Sequence, residues 1–127
     1  YTGASIASTF FITAATFGVM AAFGYFTKRD LSKMGSYLYM ALIGLIIATV
    51  VNLFLQSDTL MWIISYVGVL IFVGITAYDT QMIKSLVAES IGDEERTKKI
   101  ALLGALHLYL DFINLFLYLL RILGRRN

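Results

Sequence analysis

The chain has 127 residues, of which 59% are hydrophobic and 14% charged, against roughly 45–50% and about 25% in soluble domains. A soluble core of this size would leave too much apolar surface wet, and disordered chains are poor in aromatics, which here number 9 Phe, 8 Tyr and 1 Trp. The lack of cysteine excludes disulfides, thiolate chemistry and thiolate zinc sites, a formal net charge of +2 gives nucleic acid no hold, and a mean hydropathy of +0.80 points to an integral membrane protein.

Tyr1 to Thr27 carries no charge and predicts a first helix near 3–26. Ser5, Thr9, Thr13 and Thr16 share one side of it, and Ala14, Gly18 and Ala22 form a small-residue ridge along which another helix can approach. Lys28, Arg29, Asp30 and Lys33 close this segment, with Asp30 placed to cap a second helix near 35–56. Thr49, Asn52 and Gln56 make a polar stripe there. Asp58 is placed to cap a third helix near 59–83, which ends in the stripe Thr76, Asp79 and Thr80. Ala88, Ser90 and Gly92 mark the only substantial loop. Asp93 then caps a fourth helix near 97–122, and Asp93, Glu94 and Glu95 ahead of Lys98 and Lys99 suit the helix macrodipole. That helix can begin in water and run about 30 residues, more than the roughly 20 that cross a bilayer. His107, Asp111, Asn114 and Tyr118 lie on one of its sides.

These apolar runs are continuous rather than alternating, which excludes the short strands of a barrel. The fold expected is all-α: one polytopic transmembrane bundle of four helices. Lys and Arg number three in 28–33, none in 56–60 and four in 84–99. The positive-inside rule therefore places the first and third connections in the cytoplasm and Tyr1 outside. Arg121, Arg125 and Arg126 oppose that arrangement if the fourth helix crosses fully, and a full crossing is the reading preferred here. A start at Tyr1 without an initiator Met reads as the back part of a longer membrane protein.

The Ser and Thr stripes read as interhelical hydrogen-bonding groups, worth about 0.6 kcal/mol per pair on average. Asp79 and Asp111 differ, being the only charges inside the apolar stretches. Ionised near the membrane centre, each costs on the order of 2.5–3.5 kcal/mol, and such residues mark ion or proton pathways. Consecutive helices run antiparallel, so the two carboxyl groups can meet in the cytoplasmic half of the bundle and share one proton. Loss of that proton adds repulsion and attracts a cation, which makes the pair a pH-sensitive latch or a weak, transient metal site. The plainer alternative has Asp79 reaching the interface beside Lys84 while Asp111 is a satisfied core residue. His107, one turn from Asp111, either tunes the titration or packs as a hydrogen-bonded side chain; Thr80 and Asn114 are supporting polar groups. A tight calcium cage is excluded because six to eight oxygens are wanted. No enzyme constellation appears: there is no Gly-rich phosphate loop after a strand, no HExxH, and no GxGD setting for an intramembrane aspartyl protease.

Two segments carry more than general membrane physics: Ala77-Tyr78-Asp79-Thr80-Gln81 and Leu108-Tyr109-Leu110-Asp111-Phe112-Ile113-Asn114-Leu115-Phe116. With Thr13-Ala14-Ala15-Thr16-Phe17 and Thr27-Lys28-Arg29-Asp30-Leu31-Ser32, they closely resemble the transmembrane BAX inhibitor motif family over essentially the whole chain. The short loops resemble a bacterial inner-membrane member. The resemblance implies a bundle of about seven helices, of which this chain looks like the last four. It also implies a pH-sensitive calcium leak in which Asp79 and Asp111 match the gating aspartates, protonation favouring the closed form and deprotonation the open one. The lipid bilayer and transiently bound calcium are the partners expected, with no other cofactor. A second implication is different in kind: several bacterial members modulate a membrane-anchored AAA protease or another stress-response partner, without transport.

Overall fold

The computed structural model describes residues 1–124, and among them the regular elements are four helices: α1 (Gly3–Phe26), α2 (Ser32–Leu55), α3 (Asp58–Glu89) and α4 (Glu94–Leu123). At 1.5 Å per residue, α1 and α2 are about 36 Å long, α3 about 48 Å and α4 about 45 Å. Each is long and apolar enough to cross a membrane, so the all-α transmembrane bundle expected from the sequence is the fold observed. The boundaries differ where lipid does not set them. α3 continues past 83 to Glu89, and α4 begins at Glu94 rather than near 97, because a helix does not stop where hydrocarbon gives way to water. α2 likewise begins at Ser32. Arg121 falls in the last turn of the unbroken α4, while Arg125 and Arg126 lie outside the described residues.

The helix ends follow local hydrogen-bond chemistry. Asp93 caps α4 as expected, its side chain accepting from the Arg96 amide. Asp58 does not cap α3. Ser57, one residue earlier, accepts from the Leu60 amide at 3.2 Å, and Asp58 enters the first turn, where the dipole favours an acid. Asp30 likewise lies one place before the cap residue Leu31, yet it accepts from both the amide and the hydroxyl of Ser32, at 3.0 and 2.6 Å. Ala88 belongs to α3, so the α3–α4 turn is shorter than expected. It is held by Ser90 and Thr97, whose hydroxyls lie 2.8 Å apart, and it uses Gly92 at φ 101°.

α3 is the hub of the bundle, packing against α1, α2 and α4, while α1 also packs on α4. Leu45, Ile64, Ile71, Phe72, Ile75, Leu115 and Leu119 form the buried core, contributed by α2, α3 and α4. Since lipid is as apolar as these side chains, association rests on close packing rather than on a hydrophobic drive. The closest approach is at Gly24, where a Cβ would strike the backbone carbonyl of Ala77. Among the described residues nothing packs on the ridge of Ala14, Gly18 and Ala22: all three are exposed, and a Cβ added at Gly18 would meet nothing within 4 Å. α1 instead buries Thr9, Thr13 and Gly24.

The hydroxyl stripes also differ from expectation. Thr13, Thr16, Thr49, Thr76 and Thr80 each donate to the carbonyl four residues earlier in their own helix. A hydroxyl in a helix always has that acceptor within reach, so the interhelical partner is not required.

Candidate functional site

Asp79 lies about ten residues before the end of α3, and His107 and Asp111 lie one helical turn apart on α4. Their spacing and the antiparallel packing of α3 on α4 bring the three together: one ligand atom from each lies within 4.8 Å of the other two. Asp79 is 0% exposed and Asp111 4%. Two acids are thus buried side by side where an ionised carboxylate is expensive unless it is paired.

Asp79 is well satisfied. Tyr39 of α2 donates its hydroxyl to the Asp79 carboxylate, at 2.8 Å to Oδ1 and 3.1 Å to Oδ2. His107 Nε2 lies 2.9 Å from Asp79 Oδ2 and 2.9 Å from the Tyr39 oxygen. With the Tyr39 proton given to Asp79, the Tyr39 oxygen accepts, so this pattern closes when Nε2 carries the ring proton. Asp111 is not satisfied in the same way, for its buried Oδ2 has no hydrogen-bond partner. The arrangement therefore holds one anchored carboxylate and one with an open coordination position. A proton or a cation between the two carboxyl groups would give Asp111 a partner.

This geometry departs from the plainer alternative at both residues. Lys84 does not approach Asp79: its ammonium donates to the Tyr25 carbonyl at 2.6 Å and sits 4.4 Å from the centre of the Tyr25 ring. Asp111 is a core residue, but not a satisfied one. Of the supporting groups, His107 joins the cluster, whereas Thr80 and Asn114 turn to the carbonyls of Thr76 and Leu110 on their own helices.

Tyr39 is the member that sequence reasoning missed. Its signal lay in the second helix's own stripe: followed backwards from Asn52 and Thr49 by helical steps, that face passes through Leu45 and Leu42 to Tyr39. The Tyr78 ring meets that of Tyr39 edge-on at 6.0 Å. The Tyr78 ring in turn occupies the space that a side chain at Gly35 would need.

Residues 1–127 match the family described as inhibitor of apoptosis-promoting Bax1. The inner membrane protein YbhL of Escherichia coli K12 is 58% identical to the chain over 129 residues, covering all of it and 55% of YbhL. Uncharacterized proteins of Rickettsia prowazekii and Borreliella burgdorferi are each 54% identical over the whole chain, which covers 53% and 55% of them. The chain thus spans about half the length of the curated relatives it matches. The resemblance read from the two aspartate motifs is borne out: the chain belongs to the BAX inhibitor family, as a multi-pass protein of the inner membrane.

Proposed function

We propose that the Asp79–Asp111 pair is the proton-sensitive gate of a calcium leak. The observation that carries this reading is the burial of two carboxyl groups within 4.8 Å of each other, one of them with an unpartnered oxygen. With a single proton on the pair, one negative charge remains, and it accepts from Tyr39 and His107. Removal of that proton sets two negative charges about 5 Å apart, a repulsion of about 3–4 kcal/mol at an effective dielectric of 20. A bias of that size shifts a two-state equilibrium by a few hundredfold. Relief comes from separating α3 from α4 or from a divalent cation entering between the carboxylates. Opening and attraction of calcium then follow from the same deprotonation, and a transient site on a path needs fewer oxygens than a storage cage.

The test is calcium flux into proteoliposomes holding the full-length protein, at pH 6 and pH 8, beside Asp79→Asn and Asp111→Asn. Flux that rises with pH, with that dependence lost in both variants, is the result expected. Folded protein that passes no calcium at either pH would refute the leak. The carboxyl pair would then be structural, and regulation of a membrane-bound protease would become the reading to pursue.

A further inference from the structure

The leak reading uses the two carboxylates and gives His107 only a supporting bond. The imidazole brings a different chemistry. Calcium takes six to eight oxygens and has little use for nitrogen, whereas imidazole with carboxylates suits borderline ions such as Zn²⁺. We propose that Asp79, His107 and Asp111 form a binding site for a borderline divalent transition ion, Zn²⁺ foremost, which ties α3 to α4.

Geometry and charge both support this site. Tetrahedral zinc with ligand bonds of about 2.0–2.2 Å places its ligand atoms about 3.3–3.5 Å apart. The His107 Nε2 to Asp79 Oδ2 separation of 2.9 Å is a proton-bridged distance slightly below that range, and all three ligand atoms lie within 4.8 Å. Entry of an ion therefore opens one contact by a few tenths of an ångström and draws Asp111 inward, a matter of side-chain rotation. The ion replaces the ring proton at Nε2, which moves to Nδ1, and metal binding releases any proton held between the carboxyls. Two carboxylates and a divalent ion are neutral together, which suits a buried position. Asp111, whose buried carboxyl group has an oxygen without a hydrogen-bond partner, gains a bond to the ion. Tyr39 keeps its hydrogen bond to Asp79 and so orients a ligating carboxylate from the outer shell.

Asp79 is fully buried, but the His107 side chain is 45% exposed. It lines a cleft of about 160 Å³ between α3 and α4, together with Ile83, Leu86, Leu103 and Gly104. Imidazole is the exposed member of the site, and the two aspartates are its buried members.

The site shares residues with the proposed gate, but binding is measured without flux, so the two readings stand or fall separately. The test uses the full-length protein in detergent at pH 8, titrated calorimetrically with Zn²⁺ and spectroscopically with Co²⁺. One ion per chain, visible absorption bands of four-coordinate Co²⁺, and at least a tenfold weaker affinity in His107→Asn are expected. Asp111→Asn is expected to weaken binding equally, so a folding defect in one variant does not decide the outcome. Zinc affinity unchanged in both variants, or no stoichiometric binding to the wild type, would overturn the site.

Discussion

Tyr39 of α2 donates to Asp79 of α3 at 2.8 Å, and its oxygen lies 2.9 Å from Nε2 of His107 on α4, so one phenol joins three helices. The backbones of α2 and α4 make no direct packing contact, which leaves this side chain as a polar link between them. Tyr39→Phe removes the link without changing shape. Bonds to a charged acceptor contribute about 1.5–3 kcal/mol in soluble proteins, while membrane pairs average about 0.6. We expect a loss of about 1–2 kcal/mol in detergent unfolding. Tyr37→Phe, at a position 70% exposed, should stay within about 0.5 kcal/mol of the wild type. Equal effects of the two substitutions would show that the hydroxyl of Tyr39 has no particular weight.

The two glycines of α1 give a sharper contrast. Gly24→Ala places a methyl against the Ala77 carbonyl, which is backbone and cannot rotate away, whereas the same methyl at Gly18 meets open space. Overpacking of this kind costs about 1–3 kcal/mol or more, and Gly24→Ala is expected to destabilise by at least that much. Gly18→Ala should be neutral or slightly stabilising, since alanine is the better helix former. Thermal unfolding of the two variants side by side checks this. It also tests the two small-residue faces of α1, since equal tolerance would mean that α1 does not rest on α3 through Gly24.

Much of this architecture was legible because membrane helices are delimited by charge. Clean stretches between charged clusters located the four helices, and two acids inside those stretches were conspicuous because lipid makes them expensive. Tyr39 was harder to pick out for the opposite reason: tyrosine is common in membrane segments, and the uncharged stripe of α2 that leads back to it shows a shared face but not that the phenol meets an acid. Gly18, which meets no neighbour among the described residues, and Gly24, which meets Ala77, look alike in sequence, because periodicity reports a shared face but not which face has a neighbour. The cap of α3 was misplaced by one residue because Ser57 and Asp58 are both good caps, and only the backbone conformation chooses between them.

Outside the membrane, the first connection has its own pH dependence. Asp30 is held below its ordinary value of 3.8, first by the Ser32 hydroxyl, then by the Ser32 amide, with a smaller contribution from Lys33. These bonds favour the carboxylate. Their contribution to stability is therefore complete above the unfolded value and is lost as pH falls through the lower folded one. A carbon-detected NMR titration should give an Asp30 midpoint below 3.8, and Ser32→Ala should raise it by removing the largest cause. A midpoint that does not move in Ser32→Ala would mean that the hydroxyl bond is not formed in solution.

The two aspartates should respond unequally to the same substitution. Asp79 accepts from Tyr39 and lies 2.9 Å from His107 Nε2, so Asp79→Asn sets an amide donor against an imidazole donor and forfeits charge-assisted bonds. A loss of about 1–3 kcal/mol is expected, the range for leaving buried polar groups unpaired. Asp111 has a buried oxygen with no partner. Asp111→Asn gives the side chain a donor that can reach toward Asp79 and removes one of two adjacent acids. It should leave stability unchanged or raise it. Residues that weaken a fold while serving its function behave in this way, for stability and activity trade against each other at such sites. Unfolding free energies of the two variants, measured beside the wild type, give the asymmetry. Destabilisation of Asp111→Asn as large as that of Asp79→Asn would mean that Asp111 is held for structure, and the strained half of the proposed gate would have to be sought elsewhere.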